Sequence, residues 1–179
     1  YIFLSIIYLY YLGLYNPSFS DSPKDALQST EPADTETNLR RAYFTNFTRE
    51  EVMAHYLKEM QRNFIVGFPF PIYRLNYPPE EARTIIRDQT RSSYLEEIVH
   101  PFRESLFVNG FEPKEEKDTI FIDSRLWKQK ITVRFVPSEK WHRLFVGISV
   151  LILIPSVLRA WFMAIQDLRK ELARKWSFQ

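Results

Sequence analysis

His55, His100 and His142 are the residues on which metal or general-base chemistry would have to rest, because the chain contains no cysteine. Glu51 and His55 stand four apart in a segment of helical periodicity, and Glu97 with His100 makes a single Glu-x-x-His. Four positions place two side chains on one helix face. A di-iron carboxylate centre, however, takes two Glu-x-x-His motifs and two further acids on facing helices, and a zinc hydrolase takes His-Glu-x-x-His. Neither set is present. The four glycines, Gly13, Gly67, Gly110 and Gly147, are too scattered to form a phosphate-cradling loop. There is no Gly-x-Ser-x-Gly elbow, and without cysteine there is no thiol nucleophile, Cys-bound metal or Cys-attached haem. The expectation is that the chain has no catalytic, cofactor or metal site.

The elements that hold these residues follow from how composition is distributed. With 179 residues, 45% hydrophobic and 26% charged, the chain has the bulk profile of one soluble domain. Its mean hydropathy of −0.29 averages two apolar ends with a charged middle. From Leu144 to Leu158 no residue is charged, and past Arg159 the apolar run continues to Ile165. At about 1.5 Å per residue this stretch crosses a hydrocarbon core of roughly 30 Å. The segment 141–165 is therefore expected to be a transmembrane helix. Trp141, His142, Arg143, Arg159 and Trp161 are its expected interface anchors, the arginines by snorkelling and the tryptophans by their amphipathic rings. Pro155 is tolerated in such a helix when a neighbour takes the carbonyl it frees, and a kink is expected there. Residues 1–15 are also uncharged. They read as an N-terminally incomplete second span and uncleaved anchor, with the apolar region of a secretory signal as the rival.

Between the spans, 16–39 is rich in Pro, Ser, Thr, Asp and Glu and poor in large apolar residues. It reads as a flexible acidic tether, since it has little to bury against its ordering entropy. Residues 40–137 are expected to form a small α+β domain. Thr48 and Glu51 make a capping box for a helix over 49–62, whose apolar face is Val52, Tyr56, Leu57 and Met60. Ile72 to Tyr77 reads as a strand, and Pro79, Glu80 and Glu81 open a second helix to about Gln89. Tyr94 to Val99 reads as a strand. It is followed by a helix with Pro101 at its first position, stopped at Asn109-Gly110 with Phe111 folded back. Residues 119–123 and 128–136 alternate as a hairpin around Ser124-Arg125. The expected fold is α+β, with helices on one mixed or antiparallel sheet, flanked by two transmembrane helices. Asn46-Phe47-Thr48 is a formal glycosylation sequon, a tripeptide common by chance.

Charge sets the expected topology. Arg159, Arg169, Lys170, Arg174 and Lys175 outnumber Asp167 and Glu171 at the end of the chain, so the overall +2 belongs to the tail. The positive-inside rule then puts the tail, 166–179, on the cytoplasmic side or its equivalent and the domain on the far side. Leu168, Leu172 and Trp176 at i, i+4 and i+8 make the tail a basic amphipathic helix. The near-neutral middle lacks the basic footprint of a nucleic-acid binder. Phe64, Phe68, Phe70 and Tyr73 form an aromatic stretch that suits a core or, alternatively, a partner-binding surface. Together these features lead to an expected non-catalytic membrane subunit of a larger complex, its partners being other integral membrane subunits and lipids. The alternative is a membrane-tethered sensor or ligand- or lipid-binding domain.

Overall fold

The computed structural model describes all residues except 62–63, 66–67, 70, 82–90 and 177–179. It divides into two compact units, Tyr15–Ser138 and the pair of segments Tyr1–Leu14 and Glu139–Gln179.

In the first unit, Thr48 caps a helix as its sequence predicts. Its hydroxyl accepts from Glu51 N at 3.3 Å, and the Glu51 carboxylate accepts from Thr48 N at 2.7 Å. This reciprocal box starts α2 (Arg49–Met60). Val52, Met53, Tyr56 and Met60 are buried along the helix, and Leu57 is partly buried against the same core. The helix lies on an antiparallel sheet of six strands in the order β1-β2-β10-β7-β6-β5. These are β1 (Leu27–Gln28), β2 (Arg40–Thr45), β5 (Tyr73–Tyr77), β6 (Tyr94–Val99), β7 (Ser105–Phe111) and β10 (Gln129–Val136). Under α2 the sheet contributes Tyr43, Tyr94, Ile98, Leu106, Val108, Ile131, Val133 and Phe135. Each fully buried aliphatic or aromatic side chain of this kind stabilises by about 1.5–3 kcal/mol. Among the described residues the unit also has two small hairpins: β3 (Phe64–Ile65) with β4 (Phe68–Pro69), and β8 (Ile120–Ile122) with β9 (Arg125–Trp127).

The expected α+β class with an antiparallel sheet is present, with three corrections inside it. The helix expected from Pro101 is strand β7. Leu95, Ile98, Val99, Phe102 and Leu106 fit one helical face, but Leu106 and Val108 recur with period two and both enter the core. Pro101 sits instead in the β6–β7 turn, where His100 N donates to Glu104 O at 3.0 Å and Phe102 takes φ 61°. Gly110 ends no helix. It lies opposite Tyr94 in the ladder, with the tyrosine ring where a Cβ would stand. The hairpin expected between 119–123 and 128–136 is split. Ile120–Ile122 pairs with Arg125–Trp127, across Asp123 and Ser124 at φ 52° and 60°, and β10 goes to the centre of the main sheet, between β2 and β7. The third correction concerns 16–39, which composition marks as a tether. Asp25 accepts from Thr45 Oγ1 and Asn46 N, each at 2.7 Å. Buried Asp34 accepts from Ser29 Oγ at 2.6 Å and pairs with Lys130 Nζ at 2.7 Å. Phe19 lies under the Arg41 guanidinium at 4.5 Å. Carboxylates fasten the segment where apolar side chains are scarce. Of the helix expected over 79–89, Pro79–Glu81 forms a single 3-10 turn, and 82–90 lie outside the described residues.

The second unit is α1 (Ile2–Gly13) packed on α3 (Lys140–Trp176). Lys140–Leu172 is long and apolar enough to cross a membrane. Phe145, Ile152, Leu153, Leu158, Trp161 and Phe162 are all exposed along it. Two spans were expected, but among the described residues one helix qualifies: α1 is apolar yet has 12 residues, a reach of about 18 Å. The helix runs through Pro155. Proline cannot donate to the carbonyl four residues back, which here is Leu151 O, and the Tyr1 hydroxyl donates to that oxygen. Close approach of the helices is set at Gly147, where a Cβ would fall 2.3 Å from Leu12 Cδ1. Small residues let membrane helices pack backbone to side chain in this way. Replacing Gly147 by Leu is expected to separate α1 from α3. Loss of an engineered disulfide between the helices, scored by gel shift in detergent, checks this, and an undiminished crosslink refutes it.

Candidate functional site

The strands decide which of the candidate chemical groups meet. Neighbouring residues of β6 point to opposite faces of the sheet, so Glu96 faces α2 whereas Glu97 does not. Glu97 accepts from the Tyr77 hydroxyl at 2.6 Å, while His100 Nδ1 stands 2.8 Å from Glu104 Oε1. Glu97 and His100 are thus not brought together. Nor are Glu51 and His55: the glutamate is committed to the Thr48 cap, and His55 Nε2 lies 2.9 Å from Asp21 O, edge-on to Tyr56. His142 is exposed on α3. Among the described residues, no group of three or more His, Asp or Glu is placed to hold a metal ion.

Among the described residues, two buried polar clusters contain the candidate groups or their neighbours. In the first, Glu96 is fully buried under the start of α2 and holds two arginines. Arg49 Nε donates to its Oε1 at 2.5 Å, and Arg74 donates from both Nε and Nη2. Arg74 also forks onto Glu50 at 2.8 and 3.0 Å, and this hydrogen bonding holds the Glu50 carboxyl below its ordinary 4.5. The charges balance, and the cluster ties α2 to β5 and β6. The second cluster closes the β6–β7 turn. His100, Arg103 and Glu104 have no exposed side-chain surface, and Arg103 donates to Glu104 Oε2 at 3.1 Å and to Tyr15 O at 2.9 Å. A carboxylate between an imidazole and a guanidinium can orient a base, but here the set is sealed from solvent. It holds the turn.

Hydrogen bonding also makes the stability of the unit depend on pH. The backbone hydrogen bond from Thr48 holds Glu51 below 4.5. The Glu97 carboxylate pushes Tyr77 up to about 12. A lowered carboxylate contributes stability that is present above 4.5 and is lost as pH falls through the folded value; a raised tyrosine contributes stability that is present below 10 and is lost as pH climbs towards 12. Thermal denaturation across pH is therefore expected to fall off below 4.5 and again between 10 and 12. Glu51→Gln should remove part of the acid limb and Tyr77→Phe part of the alkaline limb, and unchanged limbs would refute the two assignments.

The expected surface residues are distributed unevenly. Trp141, Arg159 and Trp161 are exposed on α3, whereas Arg143 is buried and donates to Leu14 O at 2.7 Å, satisfying a carbonyl at the end of α1. Arg169, Lys170, Arg174 and Lys175 fall on the last turns of α3, which runs to Trp176. Tyr73 is exposed on β5. Phe64 and Phe68 stand on β3 and β4, and Phe70 lies outside the described residues.

An apolar surface that sequence reasoning missed is the β8–β9 hairpin. Phe121 and Leu126 are directly opposite in its ladder and are 65% and 60% exposed, beside a cavity of about 340 Å³ lined by Pro113, Thr119, Leu126 and Trp127. Trp127 anchors the base, buried and covered by the Arg125 guanidinium at 4.3 Å. The signal in the sequence was the close spacing of Phe121 and Leu126 around Asp-Ser, but without glycine the turn did not announce itself. Comparison with protein-family models, with curated proteins and with solved structures yields no match to this chain.

Proposed function

We propose that the chain is a non-catalytic integral membrane subunit of a larger membrane assembly. In this reading α1 and α3 form a two-pass anchor, the 40–137 domain stands on the extracytoplasmic side, and the basic tail lies at the cytoplasmic face or its equivalent. The long apolar helix supports membrane association. The observation that carries the docking role is the exposed pair Phe121 and Leu126, two large apolar side chains that the domain leaves in solvent on a two-stranded hairpin. Such side chains are the usual centre of a protein interface.

Blue-native electrophoresis after mild detergent extraction tests it. Wild type should migrate within a larger species, and Phe121→Ser with Leu126→Ser should shift to the free chain while its melting temperature stays close to wild type, since both positions are exposed. Migration of the wild type as a monomer overturns the proposal. The second reading, a membrane-tethered ligand- or lipid-binding domain, is favoured by a cavity of about 330 Å³ lined by Leu39, Arg40, Arg134 and Phe135.

A further inference from the structure

A turn in water ordinarily sets its charged side chains outward and keeps aromatic rings within. The β6–β7 turn does the reverse. Of residues 100–105, His100, Arg103, Glu104 and Ser105 are buried, Pro101 is half-buried and Phe102 is 72% exposed. The Glu104 carboxylate lies between the other two polar groups, with Oε1 2.8 Å from His100 Nδ1 and Oε2 3.1 Å from Arg103 Nε. What the turn presents to its surroundings is therefore a proline and an aromatic ring. Two costs accompany this arrangement. Ionisable side chains are unfavourable to take out of water even when paired, and Phe102 adopts φ 61°, a left-handed conformation that a bulky residue rarely takes. Glycine would fill that position without strain. Strained residues of this kind concentrate where they serve a contact.

The place of the turn within its unit identifies the contact. Arg103 Nη2 donates to Tyr15 O at 2.9 Å, and Asn16 Nδ2 donates to Ser138 O at 3.0 Å. Tyr15 and Ser138 are the first and last residues of the unit, so both chain connections to the helical pair leave from the end that carries the turn. Tyr15 is itself 82% exposed. Ser138 stands two residues before α3, and the uncharged run of that helix begins at Leu144. From Lys140 to Leu144 a helix rises about 6 Å, which matches one headgroup layer, roughly 5–8 Å on each side of the hydrocarbon core. Aromatic side chains favour that layer. We propose that Phe102 inserts its ring into the bilayer interface on the side of the domain, a second attachment beside the spanning helix. This rests on the reading of α3 as membrane-spanning. Phe121 and Leu126 belong to a different turn and serve the protein contact proposed above.

The chain contains no cysteine, so a nitroxide attached to Phe102→Cys reports a single position. The labelled full chain in phosphatidylcholine nanodiscs is read by electron paramagnetic resonance power saturation with two collision partners, oxygen, which concentrates in lipid, and a water-soluble nickel chelate. Oxygen collisions should exceed nickel collisions severalfold at Phe102→Cys. Ile152→Cys, on α3, should show a larger oxygen excess, and Phe121→Cys, on the β8–β9 hairpin, should favour nickel. Nickel access at Ile152→Cys would sink the membrane reading and this inference with it. Lipid at Ile152→Cys with nickel at Phe102→Cys overturns this inference alone. A label at Phe102→Cys screened from both partners marks a protein contact and also overturns it, as does an equal oxygen excess at Phe121→Cys, which would mean that the domain lies on lipid without preference for this turn. Phe102→Trp gives a second readout without a label. The fluorescence it adds to wild type should be quenched by phospholipids brominated at the headgroup end of their acyl chains, and an unquenched increment counts against the proposal. Each substitution at this exposed position should melt close to wild type.

Discussion

Substituting alanine for Gly110 is expected to destabilise the domain by about 3 kcal/mol, near the upper end for overpacking. A glycine inside a strand is ordinarily a weakness, and alanine would recover about 0.5–1 kcal/mol of backbone entropy. Here a Cβ would lie 2.1 Å from Tyr94 Cε1 and Cζ, far inside contact distance. The ring has nowhere to go. It is buried in the core, its hydroxyl donates to Gln129 Oε1 at 2.8 Å, and Gln129 in turn donates to Phe47 O at 2.6 Å. Burial also pushes the Tyr94 pKa up, which favours the neutral hydroxyl that makes this hydrogen bond. Urea denaturation of Gly110→Ala, Tyr94→Leu and the double variant forms a cycle. The double variant should recover much of the glycine penalty, whereas simple additivity would show that the clash is relieved elsewhere.

The second large effect is at Glu96. Its carboxylate is the one fully buried acid among Arg49, Arg74 and Glu50, and Glu96→Ala leaves two guanidiniums facing an apolar hole. Removing one partner of a fully buried pair costs about 3–5 kcal/mol. The arginines are about a third exposed, and water will take up part of their charge, so about 2–3 kcal/mol is expected. Glu96→Gln keeps one acceptor and should cost less. The loss should concentrate at the start of α2: amide exchange of residues 49–53 is expected to accelerate more than that of β10. Uniform acceleration along the chain would mean that Glu96 contributes to the core in general and does not fasten this helix.

Legibility from sequence followed the range of the forces involved. The capping box, the strand Tyr94–Val99 and most of β5 depend on residues within a few positions of one another, and they were found where expected. The 101–111 segment failed because five apolar residues fit a helical face by coincidence, while what decides its state is pairing with β6 and β10. The tether reading failed because composition counts apolar area, and Asp25 and Asp34 hold their segment by hydrogen bonds to β2 and β10. That Arg40 and Arg134 stand opposite each other in the ladder was illegible for a similar reason: they are close only once β10 has been placed beside β2. Arg143, expected at a membrane surface from its neighbours Trp141 and His142, ends on the backbone carbonyl of Leu14, just past α1.

The position of β10 also governs the order in which the domain can be assembled. This strand is the last of the sheet to be synthesised, yet it lies in the middle, with β2 on one side and β7 on the other. Until it is inserted, the nascent chain holds two separate pieces, β1-β2 and β5-β6-β7, each with a raw hydrogen-bonding edge facing the other. Closure requires contacts across most of the domain's length, the circumstance that slows folding. Unpaired edges in such an intermediate are templates for pairing with another chain. The strand that completes the sheet runs almost directly into the apolar helix α3, so the vulnerable interval ends only as that helix itself is being made.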